Sequence, residues 1–180
     1  EGDGIAFGYN TLNAGTSGIA TVGNNPVTIT INLSGHTYSV YRKTVGSSGT
    51  ETNCFQILKG SNVTFENGTI EVSRWTKQAA NMFQNYGDLT LKNVNIDISK
   101  QPYCESLIHS MCGKVNVIGN TNLANDGKYS WNYEYDDKKV IKVADWNNSN
   151  YADGTQVTID TTGTLSGIIK TTCIVNENQK

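Results

Sequence analysis

Apolar and polar residues alternate in short bursts along this chain, and the bursts recur. From Asn62 to Val72 it reads NVTFENGTIEV; from Asp88 to Ile98, DLTLKNVNIDI; from Thr30 to Val40, TINLSGHTYSV. Laid over one another, these segments align Leu33, Phe65, Leu91 and Val117, at intervals of 32, 26 and 26 residues. Ile31, Val63, Leu89 and Val115 stand two residues earlier. Tyr38, Ile70, Ile96 and Leu123 follow each alignment point, then Val40, Val72 and Ile98 in the first three copies. A looser copy, VTIDTTGTL, brings Val157, Ile159 and Leu165 after an interval of 42 residues. A period of two predicts strands with one buried face. Recurrence at this spacing predicts one supersecondary unit made several times.

A further apolar segment precedes three of the units: CFQIL (54–58), MFQNY (82–86) and LIHSM (107–111), closed by Gly60, Gly87 and Gly113. VIKVA (140–144) and GIIK (167–170) read as later versions. Each unit therefore predicts three short strands separated by turns. Strands of this kind, wound three to a turn, lie beside their own copies about 4.8 Å away and pair in parallel. Leu33, Phe65, Leu91 and Val117 would form one internal stack, and Tyr38, Ile70, Ile96 and Leu123 another. Thr64, Thr90, Asn116, Ser39, Glu71 and Asp97 would face outward, with Glu66 on Lys92 as a cross-strand pair. Asn67, Asn93 and Asn120 recur near one bend and predict a ladder of side-chain amides. The expected class is all-β: a solenoid of about four to five coils, each stable only against its neighbours. An antiparallel sandwich or barrel also alternates and is the competing architecture.

Composition agrees with an all-β chain. Of 180 residues only 17% are charged, 18 are glycine and 2 are proline, so the turns must come from Gly and Asn. A net charge of −2 points to no nucleic-acid partner. No run of apolar residues is long enough to predict a membrane span. The first residue is Glu and no signal-like segment follows, so a processed product or a piece of a larger protein is expected. Cys54, Cys104, Cys112 and Cys173 read most simply as buried thiols, although they permit up to two disulfides and Cys104 could bridge to Cys112. Sequons at Asn32, Asn62, Asn67 and Asn147 are no more than an Asn- and Thr-rich chain produces by chance. Residues 1–26, with six glycines, read as a loop-rich lead-in or cap holding one short strand near Ile19–Val22. The repeat domain is then 27–180, interrupted by a polar, aromatic insertion at 124–156.

The segments VTITINLSGHTYSV, GSNVTFENGTIEV, GDLTLKNVNIDI and GKVNVIGNTNL resemble the right-handed parallel β-helix of the pectate-lyase-like superfamily. More narrowly, they are similar to repeats of bacterial surface adhesins and phage tail or capsid appendages. The likeness covers residues 27–123, and 140–170 more loosely. It implies the fold and an extracellular, cell-surface or virion setting. It does not select a function, because that superfamily hosts lyases, hydrolases, adhesins and inert spacers.

Enzymes of that superfamily use carboxylates that hold Ca²⁺ and a Lys or Arg base. The matching candidates here are Glu71 and Asp97, brought to adjacent outward positions, with Arg74 the nearest arginine. A calcium site takes about six or more oxygens, so one carboxylate pair relieved by Lys77 or Lys100 is the simpler expectation. Asp136 and Asp137 are neighbours in sequence and would point to opposite faces of a strand. His36 and His109 read as turn and flank residues. No nucleophile elbow, zinc-ligand spacing or phosphate loop occurs. For binding, Trp131, Tyr133, Tyr135, Trp146 and Tyr151 form an aromatic cluster suited either to sugar rings or to capping the last coil. Arg74 and Trp75, in SRWTKQ, form a second candidate.

The expectation is a non-catalytic structural and attachment module that binds a glycan or surface polysaccharide, or assembles with partner subunits as a homotrimer or with neighbouring domains. It uses no cofactor, unless calcium at Glu71 and Asp97. The alternative is a polysaccharide lyase or glycoside hydrolase acting on acidic polysaccharide.

Overall fold

The computed structural model describes residues 1–8, 20–22, 26–41, 43–47, 50–76, 79–98, 100, 106–110, 113–124, 155–161, 165–166 and 169–171. Every regular element among them is a strand. They are β1 (Ile5–Phe7), β2 (Ala20–Val22), β3 (Thr28–Asn32), β4 (Thr37–Val40), β5 (Val45–Ser47), β6 (Thr50–Ile57), β7 (Asn62–Val72) and β8 (Asn81–Asn85), followed by β9 (Asp88–Asp97), β10 (Ser106–Ser110), β11 (Gly113–Gly119), β12 (Asn122–Ala124), β13 (Thr155–Thr161), β14 (Leu165–Ser166) and β15 (Ile169–Thr171). One sheet runs β15-β10-β8-β6-β1-β2, with β5 beside β6. The other holds β3, β4, β7, β9, β11, β12, β13 and β14. Only β5 with β6 is antiparallel among these ladders; the rest are parallel. The protein is all-β, built from parallel sheets.

The pairing follows the repeats. Phe65 lies beside Leu91, Leu91 beside Val117, and Val117 beside Ile159. Tyr38, Ile70, Ile96, Leu123 and Leu165 form a second row. In the first sheet, Ile5, Phe55, Phe83, Ile108 and Ile169 form a third. β15 thus brings part of GIIK beside LIHSM. VIKVA lies outside the described residues, as do 125–154 of the insertion.

Two alignments need correction. Ile31, not Leu33, lies beside Phe65, and Ile29 lies beside Val63. The chain takes seven steps from Ile31 to Tyr38 but five from Phe65 to Ile70, and the two extra residues enter a turn. There Ser34 and Gly35 have φ of 50° and 81°. The Leu33 N–H donates to the Glu66 carbonyl at 2.8 Å and the Gly35 N–H to that of Asn67 at 2.6 Å. A slip of two residues keeps every side chain on its face, so alternation cannot detect it. The second correction concerns Asn120. Asn67 and Asn93 turn their corners with φ of 58° and 53°, and the equivalent residue next along is Gly119, with φ 67°. Asn120 comes one residue later, and Thr121 is an added residue that drops inward, its hydroxyl donating to the Ile118 carbonyl at 2.7 Å.

The core is a continuous apolar stack. Phe55 lies 5.1 Å from Phe65 and 5.2 Å from Phe83 between ring centroids, and Phe65 lies 5.5 Å from Phe83 and 5.9 Å from Phe7. Val63, Ile70, Leu89, Leu91, Ile96, Val115 and Val117 surround these rings and are buried, as is the Cys54 thiol. Cys104, Cys112 and Cys173 lie outside the described residues.

The lead-in contributes more than its composition suggests. β2 falls where a strand was expected, but β1 was not foreseen, since IAF between glycines is too short to show a period. Residues 2–8 lie against β4 and β6. Gly2 N–H donates to the Ser39 carbonyl at 3.0 Å, Gly4 N–H to that of Lys43 at 2.8 Å, and the Tyr38 hydroxyl to that of Asp3 at 2.7 Å. Gly4 passes so close to the Cys54 carbonyl that a Cβ there would collide with it.

Two predictions follow from this packing. Phe65→Ala should cost about 3–5 kcal/mol of stability, read by chemical denaturation, because three rings lose their common neighbour. Burial, with the Asp3 charge adding to it, raises the Tyr38 phenol above its ordinary 10.0. The unfolded chain therefore ionises first, and this contribution to stability is whole below pH 10.0 and falls as the pH climbs to the folded value. Tyr38→Phe should lose about 1 kcal/mol at neutral pH yet show a flatter stability profile above that point.

Candidate attachment surface

The residues that could meet a ligand sit where the strands stop. After β7 the chain turns through Ser73, Arg74, Trp75 and Thr76. The Ser73 N–H donates to the Val40 carbonyl at 2.9 Å, and the buried Thr76 hydroxyl donates to that same carbonyl at 2.7 Å. Thr76 N–H closes the turn on the Ser73 carbonyl at 3.0 Å, and Trp75 N–H donates to Ser73 Oγ at 3.2 Å. Both ends of the turn are thus tied to β4, and its two middle side chains are driven outward. Trp75 is 62% exposed, and among the described residues it is the large hydrophobic that stands in solvent. Arg74 lies over the indole with its guanidinium carbon 4.7 Å from the ring centroid, a cation–π contact. No carboxylate among the described residues forms a salt bridge with Arg74.

Glu71 and Asp97 come together as expected, paired across β7 and β9. Lys100 reaches Glu71 Oε2 at 2.7 Å. The hydrogen bond and charge of Glu71, with the Asp97 charge adding, raise the Lys100 pKa. Lys100 thus binds Glu71 directly and sits within the field of Asp97. Among the described residues no three His, Cys, Asp or Glu side chains gather where a metal could sit. Glu66 and Lys92 are likewise in register, 3.7 Å apart.

His36 lies exposed in the turn before β4, and His109 lies in β10 beside Gln84. Trp131, Tyr133, Tyr135, Asp136, Asp137, Trp146, Tyr151 and Lys77 lie outside the described residues.

The rows of stacked amides extend well beyond the corner. Gln56 Nε2 donates to Gln84 Oε1 at 2.8 Å, Asn81 Nδ2 to Asn53 Oδ1 at 2.8 Å, and Asn122 Nδ2 to Asn95 Oδ1 at 2.9 Å. Asn85 is fully buried, yet its amide donates to Ser110 Oγ at 3.1 Å and to the Lys114 carbonyl at 3.0 Å. The shared FQ of CFQIL and MFQNY was the signal for the glutamine pair.

No helix among the described residues is long and apolar enough to cross a membrane. Comparison with protein-family models, curated proteins and solved structures finds no match.

The Lys100–Glu71 pair is exposed, so its effect should be small and screened. Lys100→Met should lower the melting temperature slightly at low salt and leave it unchanged at high salt. Because the Lys100 pKa is raised on folding, the difference should persist through neutral pH and vanish as the pH rises through the folded value.

Proposed function

We propose that this chain is a non-catalytic structural and attachment module of a cell surface or virion, holding glycans or neighbouring subunits on a right-handed parallel β-helix. The helical reading is supported by the parallel registers, in which strands from successive repeats lie side by side in both sheets. The attachment reading rests on one observation: a turn pinned twice to the Val40 carbonyl presents a solvent-facing Trp75 with Arg74 stacked upon it. An aromatic side chain held rigid before binding loses little entropy on contact, which favours its use as an anchor. One face of a sugar ring carries mainly C–H groups and packs on an indole, while a guanidinium donates to hydroxyls or carboxylates.

The alternative, a lyase or hydrolase acting on acidic polysaccharide, asks for converging carboxylates with a free base. The Glu71–Asp97 pair lends itself poorly to that role, since Lys100 occupies Glu71.

A glycan array on the purified chain, run beside an assay for polyuronate cleavage, tests the choice. Binding without turnover is expected, and Trp75→Ala should weaken the retained glycan about tenfold or more with no change in melting temperature. Turnover that disappears in Glu71→Ala or Asp97→Ala would sink the proposal.

A further inference from the structure

The chain contains one Asn-Gly step, Asn67–Gly68. With no side chain on the following residue, its backbone nitrogen meets the least hindrance in attacking the asparagine carboxamide. Asn67 is exposed, at a corner of β7 where φ is 58°. Its carboxamide is the middle of a stacked row: Nδ2 donates to Asn32 Oδ1 at 3.5 Å, and Oδ1 accepts from Asn93 Nδ2 at 3.4 Å. Its backbone carbonyl accepts from Gly35 N–H at 2.6 Å, and Gly68 is held in register with Val94.

We propose that Asn67 is a spontaneous modification site, where deamidation is held back by stacking against the neighbouring repeats and, once it happens, stops the corner from closing again. In the first step the Gly68 nitrogen bonds to Asn67 Cγ. The Cγ–Nδ2 bond breaks, and the proton of the Gly68 amide leaves with that nitrogen as ammonia. The product is a cyclic imide. Water then opens the ring at one of its two carbonyls, giving aspartate, or isoaspartate with the chain rerouted through the former side chain. The sum is carboxamide plus water to carboxylic acid plus ammonia.

Before Cγ can reach the Gly68 nitrogen, the Asn67 side chain and backbone must rotate. That breaks the contacts to Asn32 and Asn93 and strains the carbonyl's bond to Gly35, so the reaction runs through local opening of the corner. Isoaspartate adds a backbone carbon and cannot keep the register of β7 with β9. Aspartate loses the donor to Asn32 and places a charge next to Glu66. Asn93 offers an internal comparison. It shares the left-handed corner, with φ 53°, but precedes Val94.

The test incubates the full chain at mildly alkaline pH, both folded and in denaturant. Isoaspartate at Asn67 and Asn93 is followed by peptide mass mapping and by an isoaspartyl methyltransferase assay. Conversion at Asn67 is expected in denaturant, and about tenfold or more slowly in the folded chain, as the loss of several hydrogen bonds on opening implies. Asn93 should stay unchanged over the same period. Asn93→Ala should speed the folded reaction several-fold and leave the denatured rate alone. Asn67→Gly, which the Gly119 corner shows can be accommodated, should abolish the signal. Equal rates in the folded and denatured wild-type chain would overturn the proposal without recourse to any variant, as would a folded Asn93→Ala chain converting at the wild-type rate.

Discussion

The in-register parallel pairing of successive repeats is the constraint on which the other features depend. Short strands have little stability alone, and each backbone amide facing a neighbouring repeat needs its partner there. Pairing at a fixed register sets like beside like: Phe55 on Phe83, Ile70 on Ile96, Gln56 on Gln84, Asn53 on Asn81. That arrangement suits apolar side chains, which gain contact area. It also suits amides, which carry a donor and an acceptor at once. It does not suit charge, because identical charges would repel at strand spacing. The outward rows respect this. Glu66 lies on Lys92, and where two acids do stack, Glu71 on Asp97, Lys100 supplies the missing cation.

Fixed strands leave the corners to absorb every change of length. The offset is 34 residues at Ile31–Phe65 and 32 at Tyr38–Ile70, the difference being taken up by the Ser34–Gly35 turn. It is 26 at Lys92–Ile118 and 27 at Asn95–Asn122, where Thr121 is the added residue. Among the described residues, left-handed backbone falls mainly on glycine and asparagine, with Ser34 beside them. The corner between the halves of β7 and its successors uses both solutions, asparagine twice and then glycine. Asn67 and Asn93 use both their conformation and their carboxamides, and at Gly119 the side chain is gone because the Asn93 amide fills its place. The backbone of Asn120 then donates to Asn93 Oδ1 at 2.9 Å, ending the row.

This division explains what could be read from the sequence. The strand pairing was legible because periodicity and repeat spacing report on strands: Ile70, Ile96 and Leu123 lie in register as their spacing implies, and so do Val117 and Ile159. Leu33 and Asn120 were misplaced because corners carry no periodic signal, and a two-residue slip is invisible to alternation. The acidic pair was legible from offset alone. Its lysine was nameable only as one of two, since Lys77 and Lys100 each come a few residues after one of the two acids in the sequence. β1 left no trace, because its three residues join the sheet through parallel pairing with β6, about fifty residues away, and with β2.

The same division bears on where recognition can develop. A stacked strand position cannot change freely, since its side chain must suit the copies on either side. A turn has no such neighbours on its outer edge, so Arg74 and Trp75 are free to differ from the rest of the repeat. Freedom of sequence ordinarily comes with freedom of motion, which would weaken a binding contact. Here it does not, because the Val40 carbonyl, one repeat away, accepts from both Ser73 and Thr76. The frame thus lends its rigidity to a residue that takes no part in its core. An exposed indole outside the core, on a backbone bonded into the sheet, is the feature on which the proposed attachment role rests.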